Sequence, residues 1–375
     1  MSRFIPTLVF MALAAAAIGG AGAHTAATQT GTPFPRAQLV EFAHQVARRD
    51  GLSRWAVLKV LKHARAQPQI IDKISRPAET VLKWWQYRHI FLTEKRISAG
   101  ADFWQDHRDS LARVSAQEGV PPQYIIAILG AETFYGHITG SYRVLDSLAT
   151  LAFDYPPRAR YFRSELEKFL VLTHQEKIDP LAVKGSYAGA MGPLQFMPSA
   201  YLRYGIDGDD DGQRNLFTDW DDIFASVAHY LQQCGWQAGG PVVADVRIDP
   251  GATFQIDPGN LRLDETIDGL NAQGVRVVAG DVPGNTPVVL LLAQQQDGPT
   301  YRVGFNNFHA LTRYNHSALY AMAVDELARA IAPRVAPSIP GVTPVATSAM
   351  APAVTPAAKS IGSVGNADRA RRFIQ

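Results

Sequence analysis

Gly119-Val120-Pro121-Pro122-Gln123-Tyr124-Ile125-Ile126-Ala127-Ile128-Leu129-Gly130-Ala131-Glu132-Thr133-Phe134-Tyr135-Gly136 reads as an apolar helix that opens on proline and ends in a carboxylate, an aromatic pair and a glycine. Proline suits the first helical turn, whose N–H groups have no partner inside the helix, so Pro121 or Pro122 marks the start. Ile125, Ile128 or Leu129, and Glu132 then follow at helical spacing, which sets the carboxylate on the face that carries buried aliphatic residues. An acid on an apolar face is disfavoured in its charged form, and that is what a general acid working near neutral pH requires. The alternative is a buried glutamate held by hydrogen bonds or an ion pair. The rest of the chain has to separate the two.

Around this helix the pattern is mainly helical. Pro35 to Ala66 has helical periodicity, Glu79 to Phe91 adds a segment with Trp84, Trp85 and Tyr87, and Phe103 to Gln117 leads into the Glu132 helix. From Pro241 the character changes to short β-rich runs, Val242 to Ile248, Pro287 to Leu292 and Tyr301 to Phe305, broken by Gly, Pro, Asp and Asn, with one helical stretch near Leu263 to Ala272. Helical pattern returns from Ser317 to Ile331. Beyond Pro333 the chain is rich in Pro, Ala, Thr and Ser, cannot bury a core, and ends in Arg369, Arg371 and Arg372. The reading is an α+β protein: a helical region over 34–240, a small α/β insertion over 241–305, a helical return over 306–332 and a disordered tail over 333–375. No internal repeat is evident.

The N-terminus has the pattern of an export signal. Arg3 supplies positive charge, Ile5 to Ile18 is apolar and alanine-rich, and Ala21-Gly22-Ala23 is a small-residue cleavage site before His24, so residues 1–23 are expected to be removed. The apolar run is short for a membrane-spanning helix. No cysteine stands at the cleavage point to take a lipid. The single cysteine, Cys234, excludes an intrachain disulfide and reads as a small core residue. The expectation is a soluble exported protein without a lipid anchor. Of 375 residues, 36 are basic and 34 acidic, for a net charge of +2, which leaves no basic stripe for nucleic acid. With 47% hydrophobic residues the chain has ample apolar surface for real cores.

Two further stretches carry chemistry. Lys184-Gly185-Ser186-Tyr187-Ala188-Gly189-Ala190-Met191-Gly192-Pro193-Leu194-Gln195-Phe196-Met197-Pro198-Ser199 sets Ser186, Tyr187 and Gln195 among small residues. Its glycines would let a sugar approach the backbone while Ser186 and Gln195 bond its hydroxyl or acetamido groups; the alternative is a tight packing loop. It lacks the Gly-Lys-Ser/Thr of a phosphate loop. Asp207-Gly208-Asp209-Asp210-Asp211-Gly212-Gln213-Arg214-Asn215 has carboxylates at positions one, three and five and glycine at six, with the Gln213 carbonyl at seven. That spacing converges hard oxygen ligands suited to Ca²⁺. Thr218 stands where the bidentate glutamate belongs, so the closing ligand comes later, from Asp221 or Asp222. The alternative is a solvated acidic turn.

Glu132-Thr133-Phe134-Tyr135-Gly136, Leu145-Asp146-Ser147-Leu148-Ala149-Thr150-Leu151, Gly189 to Ser199 and Thr312-Arg313-Tyr314-Asn315-His316-Ser317 together resemble the membrane-bound lytic murein transglycosylase B family, over roughly Phe34 to Ile331. The resemblance implies a lysozyme-like catalytic core with Glu132 as acid/base and Ser186, Gln195, Tyr230, Tyr314, Asn315 and Tyr320 lining a glycan cleft. Arg158 and Tyr161 match further cleft positions. Family members often carry two adjacent arginines there, whereas Pro157 precedes Arg158 here, a departure that bears on contacts to the peptide stem. The resemblance also implies an EF-hand-like calcium loop of extended length, formed by Asp207, Asp209, Asp211, Gln213 and, as its closing aspartate, Asp222. On the residues alone, the tyrosines have an alternative as core aromatics with satisfied hydroxyls, and Asn315 and His316 as caps of the next helix.

The reaction implied is cleavage of the β-1,4 bond between N-acetylmuramic acid (MurNAc) and N-acetylglucosamine (GlcNAc) in peptidoglycan, leaving 1,6-anhydro-MurNAc ends, in the periplasm. Glycan strands are the expected partners, with cell-wall synthesis or secretion complexes beyond them. Ca²⁺ is the only cofactor implied. Two rivals stand beside this. One is a hydrolytic muramidase using a second carboxylate such as Asp146 or Asp154. The other is a calcium-stabilised glycan-binding protein without catalysis.

Overall fold

The computed structural model describes residues 31–75 and 82–335. The expected export signal, the Glu79 start of the second helical segment and the tail after Val335 lie outside the described residues.

The chain enters on β1 (Thr32–Pro33), which pairs antiparallel with β2 (Arg65–Ala66) around the hairpin of α1 (Arg36–Asp50) and α2 (Arg54–Leu61); α3 (Pro68–Ser75) follows. After α4 (Trp84–Phe91), the segment expected over Phe103 to Gln117 is two helices, α5 (Glu94–Asp106) and α6 (Arg108–Glu118). Thr93 accepts the Arg96 N–H at 3.2 Å and so starts α5 ahead of the apolar pattern. His107, at φ −116°, leaves helical geometry and divides the two.

α7 (Pro122–Thr133) is buried on all sides from Ile125 to Thr133, a central helix rather than an amphipathic one. It lies against α5. Glycine makes room there: a Cβ at Gly100 or Gly130 would stand 2.4 or 2.7 Å from the Tyr135 hydroxyl, which bonds the Arg96 carbonyl at 2.7 Å. Then come β3 (Tyr142–Arg143), α8 (Val144–Asp154), a 3₁₀ turn (Pro156–Arg158), α9 (Ala159–Gln175), β4 (Lys184–Gly185) paired with β3, α10 (Pro198–Tyr204) and α11 (Trp220–Gln233).

The insertion is an antiparallel sheet of β5 (Val243–Ile248), β6 (Glu265–Thr266), β7 (Val275–Val278), β8 (Pro287–Gln294) and β9 (Pro299–Gly304), in the order β6-β8-β9-β5-β7, with α12 (Ile267–Ala272) between β6 and β7. β8 alternates between two cores. Val289, Leu291 and Ala293 join the main helical core, while Val288 and Leu290 pack with Ile267, Leu270, Val303 and Phe305. The strand β7, at the sheet edge, was not foreseen; Val275 and Val277 carry its inward face. The chain returns through α13 (Asn306–Tyr314) and α14 (Ala318–Ile331), the latter packed on α4, α5 and α7. No helix among the described residues is long and apolar enough to cross a membrane.

Candidate active site

Glu132 sits in the last turn of α7 and is only 9% exposed. Tyr320, in the first turn of α14, donates its hydroxyl to Glu132 Oε1 at 2.8 Å. Ser317 caps α14 by accepting the Tyr320 N–H at 3.3 Å, which fixes the backbone from which the phenol projects. Burial first, and the neighbouring Glu132 second, hold the Tyr320 hydroxyl far above its ordinary range, so it stays protonated and acts as the donor.

Directly after Glu132 the backbone turns left-handed at three successive residues, Phe134 (φ 51°), Tyr135 (φ 59°) and Gly136 (φ 83°). Two of these carry side chains, at about 1–2 kcal/mol of strain each. Offsetting contacts surround them. Tyr135 N–H reaches the Leu129 carbonyl at 3.1 Å and Ile138 N–H the Thr133 carbonyl at 2.8 Å. Thr133 Oγ1 accepts the Gly136 N–H at 3.0 Å and donates to the Pro193 carbonyl at 2.9 Å, tying the helix end to the glycine-rich loop.

In that loop the glycines are used for packing. A Cβ at Gly189 (φ 87°) would stand 2.4 Å from Leu148, and one at Gly192 (φ 65°) 2.5 Å from the Leu216 carbonyl oxygen. The polar residues staple it. Ser186 Oγ accepts from Ala188 and Ala190 N–H at 3.3 and 3.0 Å, and Gln195, itself at φ 50°, donates from Nε2 to the carbonyls of Thr139 and Gly192 at 3.0 Å each. The packing alternative therefore describes the glycines correctly, and the same packing positions Ser186 and Gln195.

The tyrosines form a row. Tyr320 and Tyr314 stack with centroids 6.5 Å apart and planes 13° apart, Tyr314 meets Tyr230 at 5.0 Å, and Phe196 touches both Tyr314 and Tyr230. Tyr314 donates to the Leu194 carbonyl at 2.7 Å and Tyr230 to the Arg313 carbonyl, so both hydroxyls are held by the scaffold. Tyr204 extends the row at 4.7 Å from Tyr230 and is half-buried. It was missed, although it lies on the short helix that follows the glycine-rich motif. Nothing in the sequence around Thr133 signals its bonds to Gly136 and Pro193. Asn315 is buried with its Nδ2 unpaired among the described residues, and Ser317, not Asn315, caps α14. His316 is exposed. Cys234 is a free, half-buried thiol raised by burial.

Arg158 and Tyr161 make a separate stack, the guanidinium 4.5 Å from the Tyr161 centroid and 5.1 Å from that of Phe162. The Tyr161 hydroxyl is buried without a hydrogen-bond partner among the described residues, and burial raises it. Asp146 is occupied: Arg143 binds both its oxygens at 2.6 and 3.0 Å and Arg65 N–H adds a third bond at 2.8 Å. Asp154 is exposed at the end of α8.

Asp207, Asp209 and Asp211 each bring a carboxylate oxygen within 4.8 Å of the others. The loop curls through left-handed Asp210 (φ 62°) and Gly212 (φ 87°). Asp222 is buried and accepts the N–H groups of Gly208 and Asn215, both at 2.6 Å, whereas Asp221 turns to Arg113 and Ser110. This all-oxygen donor set fits a hard divalent cation.

A buried carboxyl bonded to a tyrosine thus lies beside a glycine-walled loop and an aromatic row on an α+β scaffold. Residues 35–329 match the family described as Transglycosylase SLT domain, and the chain belongs to that family. Membrane-bound lytic murein transglycosylase B of Escherichia coli (strain K12) is 37% identical over 310 residues, which cover 80% of this chain and 83% of the relative. Soluble lytic transglycosylase SltB1 from Pseudomonas aeruginosa aligns at 43% identity and a TM-score of 0.73, covering 79% of this chain and 98% of that one. The Escherichia coli lytic transglycosylase Slt35, solved in complex with calcium, aligns at 36% identity and a TM-score of 0.72, over 80% and 95% of the two chains. The chain is a lytic transglycosylase, a peptidoglycan-cleaving lyase.

Proposed function

We propose that Glu132 alone carries the proton through both halves of the reaction on the MurNAc–GlcNAc bond. In the first half it protonates the glycosidic oxygen, and the substrate's own acetamido oxygen stabilises the charge that develops at the anomeric carbon. In the second it takes the proton from the MurNAc 6-hydroxyl, whose attack closes the 1,6-anhydro ring. No water is consumed. The observation that carries this reading is the Tyr320 bond to Glu132 Oε1, a donor that meets the carboxylate once its proton has left. Asp146, bound by Arg143 and the Arg65 N–H, is committed to structure, which favours a single-carboxylate mechanism over hydrolysis.

Around Glu132, Ser186 and Gln195 hold the loop against the sugar, Tyr230, Tyr314, Tyr320 and Asn315 line the cleft, and Arg158 and Tyr161 extend it. Asp207, Asp209 and Asp211 hold a structural Ca²⁺, with the Gln213 carbonyl and Asp222 completing the set that the sequence pattern implies; the grouping of the first three carboxylates and the calcium complex of Slt35 support the reading. The export pattern supports action in the periplasm, on peptidoglycan glycan strands. Mass spectrometry of sacculi digested by the purified protein tests the chemistry: anhydro ends are expected, and reducing ends one water heavier would overturn it. Glu132→Gln, which keeps the shape and an acceptor for Tyr320, should abolish release of either product.

A further inference from the structure

We propose that the groove between α4 and the turn joining β8 to β9 is a second saccharide-binding site, which holds N-acetylated glycan through Trp85 and the Gln295–Asp297 turn. The groove is open to solvent, offers about 590 Å³ and is lined by Trp85, His89, Gln295, Gln296 and Asp297. That volume lies within the roughly 300–1,000 Å³ of small-molecule sites.

The lining chemistry selects the ligand. Trp85 and His89, one helical turn apart, meet edge to face at 6.5 Å and offer aromatic surface. A pyranose presents one C–H-rich face to such a ring and hydroxyl or acetamido groups around its rim. Two carboxamides supply donors and acceptors, and Asp297 adds a strong acceptor, a set that matches neighbouring hydroxyls. Among the described residues no lysine or arginine lines the groove, which disfavours phosphate or another polyanion, and the mixture of amides with a carboxylate disfavours a lipid chain.

The groove is held in shape from behind. Trp84, Tyr87 and Phe91 bury the inner face of α4, Arg88 pairs with Glu326 of α14, and Arg302 of β9 binds the same Glu326 while lying 5.4 Å over the Trp84 ring. Across the groove, Gln295 N–H closes the turn on the Gly298 carbonyl at 2.8 Å. The side chains of Gln296 and Asp297 are exposed, so their polar groups are available to a ligand. Such a site would retain a long strand during successive cleavages at Glu132, and in that role it rests on the function proposed above.

Chitotetraose is the probe. In Glu132→Gln protein, the Trp85 indole N–H resonance, assigned by its loss in Trp85→Ala, should shift and saturate, and Gln295→Ala with Asp297→Ala should weaken that binding about tenfold. Trp85→Ala should likewise weaken co-sedimentation with intact sacculi about tenfold while leaving thermal unfolding and turnover of a short soluble glycan at parental values. A Trp85 resonance unmoved by chitotetraose, or sacculus binding equal to the parent, would overturn the site. Should digestion yield no anhydro ends, the reaction assignment falls, while the indole shift still decides whether the groove binds saccharide.

Discussion

Tyr320→Phe removes one oxygen from the centre and leaves the ring in place. That ring is fully buried and stacked on Tyr314 at 6.5 Å, so its packing survives the change. What disappears is the 2.8 Å bond to Glu132 Oε1. A hydrogen bond to a charged group contributes about 1.5–3 kcal/mol. In the cycle proposed above this bond meets the carboxylate between its two proton transfers, so its contribution is expected along the reaction path. At ~1.4 kcal/mol per factor of ten, kcat should fall about 10- to 150-fold. KM on a soluble glycan of defined length should change by less than about threefold, because the packing around the buried ring remains. Release of anhydro products, followed by chromatography, gives both constants, and circular dichroism checks the fold. Tyr314→Phe is the control, since its hydroxyl serves the Leu194 carbonyl instead. A kcat within twofold of the parent for Tyr320→Phe, or an identical loss in both variants, would refute the role given to this bond (about twofold being the scatter of such comparisons).

Gly192→Ala should be far more damaging than Gly51→Ala: both positions are left-handed, but a Cβ at 192 meets the Leu216 carbonyl at 2.5 Å while one at 51 meets nothing within 4 Å. Urea unfolding should show roughly 1 kcal/mol of strain at 51 and a clearly larger loss at 192, and equal losses would show that the loop yields. Calcium should raise the melting temperature of the parent by several degrees, at about 2.7 kcal/mol for a hundredfold excess over Kd, and much less for Asp211→Ala. Equal parental melting in chelator and in calcium would return the acidic loop to a solvated turn. Asp325, fully enclosed beside Tyr124 and Arg329, is pushed by burial from 3.8 up to about 6. A raised carboxyl binds more protons folded than unfolded, so its stabilisation is complete below the unfolded value and is lost as pH rises through about 6. Urea midpoints should therefore fall for the parent relative to Asp325→Asn between about pH 4 and pH 6.5, and a difference independent of pH would refute the shift.

The central helix and its acid were legible because proline, aliphatic spacing and Glu132 stand within one continuous segment. The glycine-rich and acidic loops were legible for the same reason: local spacing dictates a local shape. What escaped was set by distant partners. The start of α5 depends on the Thr93 cap rather than on apolar period, and the break at His107 carries no glycine or proline to announce it. β7 gains its partner only when β5 arrives beside it. Tyr204 looks like any helix tyrosine until Tyr230 comes to lie 4.7 Å away. Thr133 is silent in the sequence because its role is the bond to Pro193, sixty positions on. Ser186 and Gln195 stand out in the sequence as polar residues among small ones, but their hydrogen bonds to the loop itself depend on how the glycines fold it.

The acidic loop reaches the catalytic segment through packing alone. Its exit carries Leu216, whose carbonyl oxygen lies against Gly192, and Trp220, whose indole lies so close to Gly136 that a Cβ there would stand 2.8 Å from the ring. Gly192 and Gly136 bound the two segments that Thr133 fastens together, one residue after Glu132. Asp222, by accepting the Gly208 and Asn215 N–H groups, fixes the loop whose exit packs against these two glycines. A cation held by Asp207, Asp209 and Asp211 would stabilise that loop and take no part in the chemistry. Loss of the cation should then act on turnover only at temperatures where the loop itself loosens.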